Sequence, residues 1–113
     1  VSSCPFCAIV RGEARADVVH DDDLVVAFRD INPQAPTHIL VIPREHIPSA
    51  HDITGAHDGL WARMLHVAQR LADADGIAAG YRLVTSVGRR GGQTVDHLHL
   101  HVIGGRQMTW PPG

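Results

Sequence analysis

The run His97-Leu98-His99-Leu100-His101 concentrates the chemistry of this chain of 113 residues. Imidazole near neutral pH can attack an electrophile, carry a proton or ligate a metal. On a β-strand successive side chains point to opposite faces. The spacing therefore puts His97, His99 and His101 on one face and Leu98, Leu100 and Val102 on the other. The apolar face can enter a core. Three titratable rings on one face would repel one another if all were charged, so the arrangement needs a reason. A second chemical pair is Cys4 and Cys7, the only cysteines, in a C-x-x-C spacing. In a cytosolic chain that spacing suggests a metal or redox site more than a structural disulfide.

The elements that must position these groups follow from hydrophobic patterning. Val18-Val19-His20 and Leu24-Val25-Val26-Ala27-Phe28 are strand candidates on either side of Asp21-Asp22-Asp23. Between two apolar runs the acidic triplet reads as a solvated hairpin turn rather than a metal cluster. Residues 30–36 form a loop fixed by Pro33 and Pro36, and Ile39-Leu40-Val41-Ile42 is a buried strand stopped by Pro43. A long helix is expected to start near Asp52 or Thr54, either of which can cap free amides. Its stripe is Leu60, Met64, Val67, Ala68 and Leu71. His57 and His66 lie off that stripe as surface residues, and Trp61 sits beside it as core or partner contact. A strand over residues 81–86, a glycine-rich loop over 88–92 and the histidine strand complete the order. Strands with one major helix in this order predict an α+β fold with an antiparallel sheet.

Composition narrows the function classes. At 44% hydrophobic the chain can build a core, and at 4% aromatic that core must be aliphatic. The length suits one domain, residues 1–113. A formal net charge of −2, with no basic stripe, argues against a nucleic-acid groove. No apolar run reaches membrane-spanning length and no signal pattern opens the sequence, so a soluble cytoplasmic protein without membrane partners is expected.

The residues also carry a family pattern. His97-Leu98-His99-Leu100-His101-Val102-Ile103 resembles the histidine-triad signature. Asp30-Ile31-Asn32-Pro33-Gln34-Ala35-Pro36-Thr37-His38, Val41-Ile42-Pro43-Arg44-Glu45-His46, Gly91-Gly92-Gln93-Thr94-Val95 and the tail Gly104-Gly105-Arg106-Gln107-Met108 with Trp110-Pro111-Pro112-Gly113 resemble its Hint branch. The likeness spans essentially the whole chain. It implies a histidine-triad (HIT-like) fold: an antiparallel sheet of about five strands, one long helix and a short N-terminal helix, dimerising into a continuous sheet. It also implies hydrolysis of purine nucleoside 5′-phosphoramidates, releasing an amine and a nucleoside monophosphate.

By that resemblance His99 is the nucleophile, attacking phosphorus to give a nucleotidyl-histidine that water hydrolyses. Its tautomer would be held by a backbone carbonyl on the same strand. His101 would contact the phosphoryl oxygens and, as an imidazolium, hand a proton to the departing amine. His38 would support the leaving-group side. Asp30 would accept from the ribose hydroxyls. Ile31, Phe6, Ile9 and Phe28 are candidates for the slot around the base, with plain core packing the competing reading for Ile9 and Phe28. Gly92, Gln93 and Thr94 match a phosphate-binding loop. Ser86 stands where the family has a nucleotide-contacting asparagine, and Arg89 and Arg90 read as a solvated loop, with a hold on a phosphate or an acidic leaving group as the competing reading.

Relatives with the cysteine pair imply a structural zinc held by Cys4, Cys7, His46 and His97, a closed four-ligand set. The competing reading is a reduced dithiol packed beside hydrogen-bonded His46 and His97. The resemblance further implies a homodimer in which the Trp110 tail reaches the partner's active site. Alternative activities are dinucleoside polyphosphate hydrolysis, nucleotidyl transfer, or a nucleotide-binding interaction module without chemistry.

Overall fold

A computed structural model describes residues 3–113. In chain order the elements are α1 (Pro5–Val10), β1 (Val18–Asp21), β2 (Val25–Arg29), β3 (Thr37–Pro43), α2 (Asp58–Ala74), β4 (Tyr81–Val84) and β5 (Leu100–Gly104). The five strands form one antiparallel sheet in the order β1-β2-β3-β5-β4. This is the expected α+β architecture, with the short helix at the N-terminus and one long helix.

Two layers cover the central strands, which explains why β2 and β3 read as continuous apolar runs. On one face Val25, Ala27, Ile39 and Val41 pack with Leu98, Leu100 and Val102 against Met64, Val67, Ala68 and Ala72 of α2. On the other, Val26, Phe28, Leu40 and Ile42 meet Phe6 and Cys7 of α1 and Cys4, which caps it. All seven residues of β3 are buried, whereas β5 alternates. Fully burying each such aliphatic side chain contributes about 1.5–3 kcal/mol.

The acidic triplet is the expected turn. Asp22 Oδ1 accepts from the Leu24 and Val25 amides at 2.8 and 2.9 Å, and its Oδ2 lies 2.6 Å from His20 Nε2. The helix start is different from expectation. Ser49 caps a 3₁₀ turn at Ala50–Asp52, Thr54 precedes a second at Gly55–His57, and α2 begins only at Asp58. His57 is therefore not a plain surface residue. The Thr54 amide donates to its Nδ1 at 3.0 Å, and its Nε2 bonds Glu45 at 3.1 Å.

The strand ladder of β5 starts at Leu100, later than the histidine pattern suggests. Pro43 ends β3 without an N–H to donate. Its carbonyl is taken by His97 Nε2 at 2.9 Å, while the Leu98 amide turns to the Ile47 carbonyl at 2.6 Å. The two-face alternation nevertheless runs on through His97 and Leu98.

β5 closes on Gly104 beneath the α2–β4 connection. A Cβ there would lie 2.7 Å from Ile77 Cδ1 and 3.1 Å from Tyr81 Cβ. Gly104→Ala is expected to destabilise the fold by about 1–3 kcal/mol through overpacking. A denaturant midpoint equal to that of the parent protein would contradict this.

Candidate functional site

The alternation of β5 directs its histidine face toward α1. Phe6 packs edge-on to His99, with centroids 5.1 Å apart, and against His97 at 5.9 Å. Beside them opens a cleft of about 920 Å³. Phe6, Ile9, Phe28 and Leu40 form its apolar wall. Asp30 and Ile31 line it from the loop after β2, and Thr94, His99 and His101 from the β5 side.

The hydrogen bonds fix where the protons sit. His99 Nδ1 lies 2.7 Å from the His97 carbonyl. A carbonyl only accepts, so Nδ1 carries the hydrogen and Nε2 is left with a free lone pair. The Gln34 amide donates to His38 Nδ1 at 3.0 Å, which places the His38 proton on Nε2. That proton points to His101 Nδ1 at 2.8 Å. His101 in its neutral form therefore carries its hydrogen on Nε2. The cleft thus meets a ring with a lone pair next to a ring with an N–H donor.

Burial pushes the His101 imidazole down to about 4, with neighbouring His99 and His38 adding to the shift and Asp30 opposing it. Burial also lowers His38, against the pull of Asp30. Desolvation thus favours the neutral ring at His101 in the free protein, and the imidazolium expected at the leaving-group step belongs to the substrate complex. Unfolded, both rings titrate near 6.5. The folded chain therefore binds fewer protons than the unfolded one between about 4 and 6.5, and stability falls as pH drops through that window. The denaturant midpoint should decline from pH 7 to pH 5, and the His101 ring resonances should titrate near pH 4. A His101 midpoint between 6 and 7 would contradict the neutral pair.

Cys4, Cys7, His46 and His97 bring their donor atoms together. Cys4 Sγ lies 3.4 Å from His97 Nδ1, Cys7 Sγ lies 3.2 Å from His46 Nδ1 and 3.6 Å from His97 Nδ1, and the two Nδ1 atoms are 3.2 Å apart. Around a tetrahedral zinc with ordinary bond lengths, S and N neighbours would be about 3.5 Å apart and two nitrogens about 3.3 Å. The set therefore has the size of a metal site. His97 Nε2 donates to Pro43, which leaves Nδ1 as the ligating lone pair. The residues fit a metal ion. Burial raises the Cys7 thiol, with Cys4 adding to the effect, so metal binding would release protons.

Asp30, His38 and His101 form a second cluster of ligand-type atoms, but it does not suit a metal. The Gln34 amide occupies His38 Nδ1. Freeing His38 Nε2 as a ligand would require an imidazolate or a broken amide contact.

Several predicted site residues are placed differently. The Gln93 side chain is buried and committed: Oε1 accepts from the Gly88 amide at 2.9 Å, and Nε2 donates to the carbonyls of Pro48 and Val95 at 2.7 and 2.9 Å. The amides of Gly92 and Gln93 bond within the loop to Arg89 and Gly88. Gly92 adopts φ +90°, which suits glycine. Of residues 92–94 only Thr94 lines the cleft, and Gly92 and Gln93 make the loop bonds that set its course. Ser86 also lies off the cleft wall, its hydroxyl 3.9 Å from where a Gly92 Cβ would sit.

The sequence reading missed Arg15, Ala16, Asp17, Arg29, Leu40 and Val95 as lining residues. Arg29 is held by Asp75 through bonds of 2.8 and 3.0 Å, and Thr37 donates to the same carboxylate at 2.8 Å. This brace ties the end of β2, next to Asp30, to the end of α2. The Arg29 guanidinium also holds the Asp75 carboxyl below its usual range.

Comparison with known proteins agrees with this geometry. The HIT domain family model matches residues 11–108. A purine nucleoside phosphoramidase from Escherichia coli K12 is 50% identical over 104 residues, covering 91% of this chain and 87% of that protein. The crystal structure of a HIT family hydrolase from Legionella pneumophila superposes with a TM-score of 0.96 at 53% identity, covering 98% of this chain and all of that one. A HIT family hydrolase from Clostridium thermocellum gives 0.94 at 40% identity, covering 96% of each chain.

Proposed function

The chain belongs to the HIT domain family, and from that membership we propose that it hydrolyses the P–N bond of purine nucleoside 5′-phosphoramidates. The observation that carries the reading is His99, with Nδ1–H tied to a carbonyl and Nε2 free at the cleft wall. That tautomer suits attack on phosphorus. The base lies against Phe6, Ile9 and Ile31, the last fully exposed at 100%. Asp30 accepts from the ribose, and Thr94 donates to the phosphate. The attack forms a bond from Nε2 to phosphorus and breaks P–N.

His101 assists the departing amine. A phosphoryl anion beside Nε2 favours the charged ring, so as substrate binds the His38–His101 hydrogen bond opens, His101 takes up a proton at Nδ1, and its Nε2 proton passes to the amine. Water then attacks the nucleotidyl-histidine, returns a proton to His101 and releases the monophosphate.

The metal held by Cys4, Cys7, His46 and His97 is proposed to be zinc. Four protein ligands leave no open position, so it would fasten α1 to the start of β5. Thiol ligands of this kind suit the reducing cytoplasm. Residues 1–113 act as one domain in this reading, within a homodimer whose sheet continues through the exposed edge of β4. Leu83 and Val87, 39% and 44% exposed, flank that edge. Trp110, 85% exposed, reaches the partner's site. Among the described residues no helix is long and apolar enough to cross a membrane.

The deciding experiment compares adenosine 5′-phosphoramidate, a fluorogenic lysyl-adenylate and diadenosine polyphosphate. Turnover of the P–N substrates with little of the polyphosphate is expected. The reverse order would move the activity to dinucleoside polyphosphate hydrolysis, and nucleotide binding without turnover would leave a binding module. Truncation before Trp110 should change leaving-group preference more than nucleotide affinity, and unchanged selectivity would count against the tail's role.

A further inference from the structure

We propose that Arg15 is a specificity-determining residue that selects guanine over adenine; the inference rests on the nucleotide-binding reading of the cleft. Every other charged side chain that lines this cleft already has a partner. Arg29 is paired with Asp75, and Asp17 lies 4.0 Å from Arg29 Nε. Asp30 accepts from the Asn32 amide at 2.8 Å and lies 3.4 Å from His38. Arg15 also lines the cleft, is exposed, and among the described residues makes no hydrogen bond or ion pair. A guanidinium held at a cleft without a protein partner is available to a ligand.

Its position indicates which part of the ligand it meets. The Glu13 and Ala14 amides bond the Ala8 carbonyl at 2.8 and 3.3 Å, so the chain leaves α1 directly beside Ile9. The Arg29 amide bonds the Asp17 carbonyl at 3.0 Å, which carries the same segment alongside the end of β2 leading to Asp30 and Ile31. Arg15 lies between these two tethers. With phosphorus at His99 and ribose at Asp30, the nucleotide extends past Asp30 to the apolar end, where Ile9 and Ile31 stand. Aliphatic and aromatic side chains take the faces of the base there, and Arg15 takes an edge. Two parallel N–H donors of a guanidinium match O6 and N7 of guanine, both acceptors. Adenine offers N7 but sets an N6 donor against the second N–H.

The test measures binding and turnover separately. Titration calorimetry with GMP and AMP reads the base preference, and guanosine and adenosine phosphoramidates of the same amine read kcat/KM. The parent protein is expected to favour guanine by about tenfold in both. Arg15→Ala should bring both ratios to within about twofold of one, mainly by loss of the guanine ligand. Arg15→Lys should do the same, because an ammonium cannot span two acceptors as a fork. Thermal melts check that the variants fold. No guanine preference in the parent protein, an equal loss of both nucleotides in Arg15→Ala, or full preference in Arg15→Lys would each overturn the proposal. If neither phosphoramidate turns over while the GMP/AMP ratio still depends on Arg15, the hydrolytic reading fails and the base reading stands.

Discussion

His99→Ala is expected to lower kcat/KM for adenosine 5′-phosphoramidate by on the order of 10⁴-fold or more, the scale seen when a covalent nucleophile is removed. The fold should survive, because the ring lies at a cleft wall and its one protein hydrogen bond is to the His97 carbonyl. AMP affinity should change far less than turnover. Rapid quench of the parent protein should trap a nucleotide on an acid-labile P–N linkage, absent from the variant. His99→Gly supplies a control, since added imidazole can occupy the space and restore part of the rate. Retention of a tenth of the parent activity by His99→Ala would remove His99 from the reaction.

The second large effect concerns the metal ligands. Protein purified without added metal is expected to hold about one zinc per chain, the ratio for a closed four-ligand site. Chelation, or Cys7→Ser, should lower Tm by about 10 °C or more, as a loss of a few kcal/mol does in a domain of this size. A second readout separates packing from positioning. His97 uses Nδ1 toward the thiols, Nε2 on the Pro43 carbonyl and its own carbonyl on His99. Loosening that residue should speed exchange of the His99 Nδ1 hydrogen with solvent, seen by ¹⁵N NMR, under conditions where the sheet amides stay protected. Metal-free protein with two free thiols and an unchanged melt would sink the zinc reading. Unchanged His99 exchange after metal loss would separate the two sites.

Much of this arrangement is legible in the chain. The alternation from His97 to Val102 gives the two faces, and the apolar runs give β2 and β3, because periodicity records which side meets a core. The Cys4-x-x-Cys7 spacing points to a metal or redox site, His46 and His97 enter through the family resemblance rather than through spacing, and the fold brings the four donor groups together. Other features depend on contacts distant in sequence. Whether Asp52 or Thr54 starts α2 was undecidable from capping preference, and each serves a 3₁₀ turn instead. The Gln93 side chain has partners at Gly88, Pro48 and Val95 that no local pattern announces. The downward shift of His101 comes mainly from burial, then from His99 on its own strand face and from His38, 63 residues away. Arg15 sits in no periodic element, so no pattern directs it to the cleft.

The bonds from the Gln34 amide through His38 to His101 all point the same way. A peptide N–H cannot act as an acceptor, so this wire is sealed at its origin and open only where His101 Nε2 meets the cleft. The His101 Nε2 hydrogen therefore exchanges directly at the cleft, whereas the His38 Nε2 hydrogen, which no donor behind it can replace, exchanges only when the His38–His101 bond opens. A ligand seated on Nε2 would slow the first exchange directly, while deuterium lost from His38 counts how often the two rings part.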